Sequence, residues 1–226
     1  MGFRFSKLEV KKLAKEFQFG LVLKLLSFRP NTDTIRQSIN KTWGLREIPI
    51  VSFIDSKHVL VQLRNEIDYI HTWAREGHTI AGGNFCLFKW TPDFDLSRES
   101  PLAPQWIFLP RLSLHLYRVD CLKILAWRIG RYLCTDHTTL NRTRATGERI
   151  CVEVDLRDAP ISNFLIAFPD RIIWQEVQYE KSGFYCSKCG RQGHLELVCK
   201  SGQKSSLSRK GSKAQIYEKG KNHKEW

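Results

Sequence analysis

Three cysteines and one histidine near the end of the sequence are spaced as metal ligands are. They form the pattern C-x2-C-x4-H-x4-C and are Cys186, Cys189, His194 and Cys199. Three thiolates and one imidazole at this spacing can close around a tetrahedral Zn²⁺. Gly190 and Gly193 lie between the second and third ligands, where the chain must reverse tightly and a missing Cβ removes the steric penalty. The pattern therefore predicts a structural zinc site, closed by four protein ligands and without an open catalytic position.

The charge of the whole chain favours a polyanionic partner. Thirty-six Lys and Arg against twenty-three Asp and Glu give a net charge of +13 over 226 residues. Such a chain attracts polyanions whatever its fold, so nucleic acid is the leading partner class. Residues 200–226 carry eight basic and two acidic side chains. Their composition predicts a disordered basic tail, which either contacts phosphates or serves as a solvated terminus or nuclear address.

Basic and aromatic side chains surround the predicted zinc site. The candidates for phosphate contact are Lys188, Arg191, Lys200, Lys204, Arg209 and Lys210. Because three thiolates and Zn²⁺ leave the metal centre at a net charge of −1, these side chains must supply the attraction to nucleic acid. Phe184 and Tyr185 are candidates for base stacking, and packing onto the body of the protein is the alternative for both.

The first hundred residues predict an α+β unit with the order β-α-β-β-α-β. A Ser6–Glu9 capping box predicts a helix near residues 7–17 ahead of it. Hydrophobic periodicity then predicts a strand within 17–28, a helix with Ile35, Ile39 and Trp43 on one face, a hairpin of 48–54 and 58–63, a helix over 66–76, and a strand over 85–90. This order is that of a split β-α-β unit and of RNA-recognition-motif domains. Base stacking on the sheet is not favoured, because the central strands carry no aromatic residue and Phe19 and Phe53 are interpreted as core.

A second, smaller α+β unit is predicted after a stretch rich in proline and serine. It has strands over 106–109 and 131–134, a helix near 120–129 and a strand over 172–179. Residues 150–156 alternate apolar and polar side chains, which predicts a half-buried strand whose other face is solvated or paired. The predicted organisation is an N-terminal helix (1–17), a first α+β domain (18–94), a linker (95–104), a second α+β unit (105–180), a zinc knuckle (184–200) and a disordered basic tail (201–226).

The sequence resembles a plant family associated with LINE-type retrotransposons, in which a domain of unknown function is followed by a CCHC zinc knuckle. The matching stretches are Leu21–Leu25, Trp43, Phe88–Trp90 with Pro92 and Phe94, Trp106–Pro110, Leu125–Gly130 with Asp136, Arg149–Asp155, Gln178–Glu180, Tyr185–Cys186 and Cys189–Gly190. The resemblance implies binding of single-stranded RNA or DNA. Ser187 departs from the pattern, because an aromatic residue often follows the first cysteine of a knuckle.

Several function classes are not favoured by the sequence. No apolar stretch approaches the 18 to 20 residues of a membrane span and no signal peptide is visible, so we expect a soluble intracellular protein with reduced cysteines and no disulfide framework. Neither a nucleophile motif nor a phosphate-binding loop is present, and we expect neither an enzyme nor a small-molecule substrate. Glu153, Asp155 and Asp158 suggest a Mg²⁺ site, but surface ion pairs with Arg149 and Arg157 explain them equally well.

Two functions remain open. The first is a retrotransposon-derived protein that binds single-stranded RNA or DNA with little sequence preference, through its basic residues and the knuckle. The second is a zinc-organised protein-interaction module, in which Leu195, Leu197 and Val198 contact a protein partner. The oligomeric state is open, since no heptad repeat is visible.

Overall fold

The N-terminal helix lies on the surface. The computed structural model describes residues 2–26, 29–136, 146–181 and 183–201. Helix α1 (Lys7–Ala14) continues into a 3₁₀ turn (Lys15–Phe17), and none of its residues is buried. Ser6 Oγ accepts a hydrogen bond from the amide of Glu9 at 3.2 Å, and the Glu9 carboxylate accepts one from the amide of Ser6 at 2.7 Å. The predicted capping box is therefore confirmed.

The first unit is an antiparallel sheet with two helices. Its elements are β1 (Gly20–Leu25), α2 (Thr32–Thr42), β2 (Ile50–Phe53), β3 (His58–Gln62), α3 (Glu66–Trp73), β4 (Thr79–Ile80) and β5 (Gly83–Lys89). The strand order is β2-β3-β1-β5-β4, so the first strand lies between the third and the fifth. The mixed α+β class is confirmed. The likeness to RNA-recognition-motif domains stays a prediction.

Alternation along β1 separates the two faces of this sheet. Leu21, Leu23 and Leu25 face the helices and lie in the core with Ile35, Ile39, Trp43, Tyr69 and Trp73. Val22 and Lys24 therefore point to the opposite face. Val22 is fully buried there, although it is not part of the helix-side core. The second face of the sheet is thus covered at β1 and at its partner β5, where Phe88 is also buried, whereas Ile50 of the edge strand β2 on the same face is exposed.

The two aromatic residues interpreted as core have different environments. Phe19 is partly buried and packs against the core, which confirms its predicted place. Phe53 remains 42% exposed at the end of the edge strand β2, and the guanidinium of Arg29 lies 3.9 Å from its ring centroid. The core interpretation of Phe53 is therefore wrong, because an edge strand has a neighbour on one side only.

The β2–β3 turn is organised by Asp55. Its Oδ1 accepts hydrogen bonds from the amides of Lys57 and His58, both at 2.6 Å, and lies 2.9 Å from His58 Nδ1. The bond from the Lys57 amide and the contact with the His58 side chain lower the pKa of Asp55 to about 2. The carboxylate therefore stabilises the fold above its unfolded-state pKa of about 4, and this contribution is lost as the pH falls towards 2.

We expect Asp55→Ala to lower the free energy of unfolding by about 1 kcal/mol at pH 7, a value reduced for the partial exposure of the carboxylate. Urea unfolding at pH 7 and near pH 2 measures this, and the difference from the unmodified protein should shrink at the lower pH. Asp93→Ala, at an exposed carboxylate, is the control. A difference that is equal at both pH values would contradict the assigned role of the ionised carboxylate.

The second unit is a four-stranded sheet beside a two-stranded one. Its elements are β6 (Leu102–Pro110), a 3₁₀ turn (Leu114–Leu116), α4 (Val119–Trp127), β7 (Arg131–Thr135), β8 (Gly147–Asp155), β9 (Asn163–Ala167), β10 (Ile172–Glu176) and β11 (Gln178–Tyr179). The larger sheet has the order β11-β6-β8-β7, and β9 pairs with β10. Strand β6 begins inside the segment predicted as a linker. Strand β11 pairs only with residues 107 and 108 of β6. Pro104, which has no N–H to donate, therefore lies where β11 does not need a hydrogen bond from β6.

Strand β8 is buried on both faces, so the solvated alternative predicted for its polar face is wrong and the paired alternative holds. Ile150 and Val152 lie in the core of the second unit, whereas Cys151 lies in the core of the first. Glu153, on the same face as Cys151, is only 7% exposed and accepts a hydrogen bond from the indole Nε1 of Trp73 at 2.9 Å. The first unit therefore covers the face of β8 that the sequence pattern left polar.

Arg149 links the two units through its guanidinium. Nη2 lies 2.6 Å from a carboxylate oxygen of Glu76 in the first unit, and Nη1 lies 2.9 Å from one of Asp136. The guanidinium also stacks 3.9 Å from the ring centroid of Trp106, whose Nε1 donates to the backbone oxygen of Ala74 at 3.0 Å. The expected surface pairing holds for Arg157 with Asp155. Arg149 pairs instead with Glu76 of the first unit and with Asp136 and Glu180 of the second.

Candidate metal centre

Two short strands and one 3₁₀ turn carry the Cys/His cluster. These elements are β12 (Tyr185–Cys186), β13 (Arg191–Gln192) and a 3₁₀ turn (Glu196–Val198). In the hairpin, Cys186 is opposite Arg191 and Tyr185 is opposite Gln192. Gly190 and Gly193 have φ values of +65° and +96°, the left-handed region that the tight reversal requires and that favours glycine. The roles predicted for both glycines are confirmed.

The four predicted ligands converge. The sulfur atoms of Cys186, Cys189 and Cys199 and a ring nitrogen of His194 all lie within 4.8 Å of one another. Cys189 Sγ is 3.3 Å from His194 Nε2. Cys186 and Cys199 are buried, and Cys189 and His194 are half-buried. Four donor atoms this close, none of them a carboxylate, could hold one metal ion.

Backbone amides support the sulfur ligands. Desolvation acts to raise the pKa of the Cys186 thiol, but hydrogen bonds from the amides of Cys189 and Lys188 and from neighbouring thiols outweigh it and lower the pKa. The amide of Ser201 donates to Cys199 Sγ at 3.4 Å. Desolvation and the adjacent sulfur atoms raise the pKa of Cys189, as expected when several thiols share one site without a cation. A bound cation would reverse this repulsion.

The predicted contact residues that the structure describes lie around the cluster. Lys188, Arg191 and Lys200 are exposed, and none of the three forms an ion pair with a residue that the structure describes. Phe184 is 42% exposed and Tyr185 is half-buried. Lys204, Arg209 and Lys210 fall outside the described residues, as does the predicted disordered tail beyond Ser201.

The apolar side chains of the alternative hypothesis are also on the surface. Leu195 is 48% exposed, Val198 67% and Leu197 95%. Leu195 directly precedes the 3₁₀ turn, Leu197 and Val198 lie on it, and none of the three packs into either core. The segment therefore has no hydrophobic core of its own, and metal coordination is what could order it.

Three residues of the knuckle's surroundings are not predicted by the sequence. Arg98, Glu99 and Ser100 of the segment between the two units contact the knuckle. No local pattern marks them, since their partners lie about ninety positions away along the chain. The acidic candidates for a Mg²⁺ site are not brought together as ligands: among the described residues the Cys/His cluster is the group that could hold a metal ion.

Comparison with known proteins identifies one domain. Residues 13–98 match DUF4283, a domain of unknown function. No curated protein and no solved structure matches the chain. In the described part of the chain, no helix has both the length and the apolar character needed to cross a membrane. A DUF4283 domain is therefore present at residues 13–98, and a Cys/His cluster follows it near the C-terminus.

Proposed function

We propose that this chain is a zinc-knuckle protein that binds single-stranded RNA or DNA through the knuckle and the basic residues around it. The observation that carries the proposal is the convergence of four ligand atoms within 4.8 Å in a segment whose neighbouring cationic side chains are exposed. A metal centre with this ligand set orders a short segment, and the cations on that segment then have a fixed arrangement. The proposal includes no catalytic step, and it places the protein inside the cell.

Zinc is the metal that the donor set favours. Three thiolates and an imidazole are soft to borderline ligands, which suit Zn²⁺ and do not suit Mg²⁺ or Ca²⁺. Four protein ligands complete a tetrahedral shell, so the metal would have a structural role. Cys186, Cys189, His194 and Cys199 would hold it.

The charge around the centre supports a nucleic-acid partner. With three thiolates the zinc centre itself is anionic, so attraction to phosphates depends on Lys188, Arg191 and Lys200. All three are exposed and have no acidic partner among the described residues. Phe184, exposed beside them, offers a ring for base stacking. Contacts of this kind are made to the phosphate backbone and to the π-face that every base has. We therefore propose that binding has low sequence specificity.

The test is the salt dependence of binding to a labelled single-stranded oligonucleotide. Each phosphate contact to single strands contributes about 0.7 to the slope of log K against log salt concentration. Lys188→Gln/Arg191→Gln/Lys200→Gln should therefore reduce the slope by about 2. The matched control, Lys41→Gln/Lys57→Gln/Arg128→Gln, removes the same charge from exposed positions elsewhere. Equal slopes for the two triple variants, or no binding by the unmodified protein, would overturn the proposal.

A protein-interaction module is the second candidate. The observation that favours it is the exposure of Leu195, Leu197 and Val198, a larger apolar surface than phosphate binding requires. Its discriminating property is affinity that changes little with salt. In the titration above, absence of oligonucleotide binding at low salt would favour this candidate.

The wider assignment belongs to the same proposal. We propose that the first unit has the split β-α-β architecture of RNA-recognition-motif domains, on the strength of its strand order. Origin from a plant LINE-type retrotransposon is supported by the sequence resemblance. Neither point implies base stacking on the first sheet, because its second face is already covered at Val22 and Phe88.

A further inference from the structure

The knuckle is bonded to the segment that joins the two α+β units. We name residues 95–100 the strap. The amide of Glu99 donates to the backbone oxygen of Gly190 at 2.7 Å, and the amide of Gln192 donates to Glu99 Oε2 at 2.7 Å. The side chain of Gln192 donates to the backbone oxygen of Ser100 at 2.6 Å. Three hydrogen bonds thus connect the β12–β13 hairpin to the strap.

The same carboxylate connects the strap to the first sheet. Glu99 Oε1 lies 2.7 Å from Nζ of Lys24, on the second face of β1. The side chains are only 14% and 22% exposed, so the pair is shielded from bulk water. One carboxylate therefore holds the knuckle with one oxygen and the first unit with the other.

Arg98 of the strap lies directly against the knuckle. A Cβ at Gly190 would be 2.9 Å from Nε and 3.2 Å from Cγ of Arg98, so the arginine side chain crosses the hairpin where the glycine leaves room. Arg98 is exposed and its guanidinium forms no ion pair with any residue in the described ranges. It is thereby placed beside Arg191, the neighbour of Gly190 in the chain.

We propose that the strap fixes the orientation of the knuckle on the first unit and adds Arg98 to its nucleic-acid-binding surface. The role of Arg98 rests on the proposed function, because it assumes a single-stranded nucleic acid as the partner. The fixed orientation of the knuckle does not depend on that function. The cations that meet phosphates then come from two parts of the chain, Arg98 from the strap and Lys188 and Arg191 from the knuckle. A guanidinium suits this position because it can make two hydrogen bonds to one phosphate.

Arg98→Gln tests the binding contribution. We expect affinity for a labelled single-stranded oligonucleotide to fall by about three- to tenfold at low salt, and the salt slope to fall by about 0.7. Arg128→Gln removes an exposed arginine from the end of α4 and should change neither value measurably. If the unmodified protein binds and the two variants behave alike, Arg98 is not part of the surface while the proposed function stands.

Glu99→Ala tests the fixed orientation without any nucleic acid. Backbone ¹⁵N relaxation of the zinc-loaded protein should give the knuckle the same tumbling time as the body, and the alanine variant should show faster independent motion in the knuckle alone. Glu16→Ala, at an exposed glutamate of the N-terminal 3₁₀ turn, should leave the relaxation of the knuckle unchanged. Independent motion of the knuckle in the unmodified protein would overturn the inference, whether or not an oligonucleotide binds.

Discussion

Cys189→Ser should abolish stoichiometric metal binding and unfold the knuckle, while both α+β units remain folded. The knuckle has no apolar core, since Leu195, Leu197 and Val198 are exposed. Its three hydrogen bonds to the strap contribute about 1 kcal/mol each. Structural Zn²⁺ contributes about 10–16 kcal/mol to the folding of comparable peptides. Metal coordination is therefore the dominant stabilising term, and the strap contacts cannot replace it.

Elemental analysis after dialysis and amide NMR spectra measure this effect. The unmodified protein should retain one zinc ion per chain. A chelator should reproduce the spectral changes of the serine variant, in residues 184–201 and in the strap residues bonded to them, and leave the rest of both units unchanged. Cys121→Ser is the control, because Cys121 lies on α4 away from the cluster. Zinc retained at one equivalent by Cys189→Ser would contradict the four-ligand site.

The zinc ligands could be predicted from the sequence because the whole site is local. All four ligands lie between Cys186 and Cys199, and the glycines that the turn requires lie among them. The convergence of the four donor atoms then follows from spacing and turn geometry alone. The same holds for the capping box at Ser6, whose two hydrogen bonds join residues three positions apart.

Contacts between distant segments could not be predicted in this way. Glu153 alternates with apolar residues, which is the pattern of a strand with one solvated face, yet its partner Trp73 lies eighty positions earlier. Strand β9 was also missed, although Phe164 and Ile166 are buried and Leu165 between them is exposed. This short run is a usable strand signal. For Glu99 no such signal exists, because nothing near it in the sequence indicates that its carboxylate joins Lys24 to the knuckle.

The buried contact between the units gives the second large expected effect. The Glu153 side chain is 6% exposed, and its carboxylate lies 3.0 Å from Lys89 Nζ. A second cation, the half-exposed Arg131, has its Nη1 3.9 Å from the same carboxylate. Removing one partner of a buried ion pair typically costs about 3–5 kcal/mol, because the other charge stays buried and uncompensated. Lys89 is 20% exposed and the indole hydrogen bond remains, so we expect Lys89→Met to lower the free energy of unfolding by about 2–3 kcal/mol.

The double variant Lys89→Met/Glu153→Gln should be more stable than Lys89→Met alone. The amide oxygen of glutamine can still accept the hydrogen bond from Trp73, and no uncompensated carboxylate is then left at position 153, so the cost should fall to about 1 kcal/mol. Urea unfolding of both variants measures the difference in their free energies of unfolding. The control is Arg171→Met, which breaks an exposed ion pair with Asp170 and should lower the free energy of unfolding by less than about 0.5 kcal/mol. Because Leu133 and Cys151 of the second unit lie in the core of the first, unfolding of the two units should be a single transition whose midpoint moves. Equal loss of stability in the single and double variants would show that the lost contact, rather than an uncompensated charge on Glu153, determines the cost.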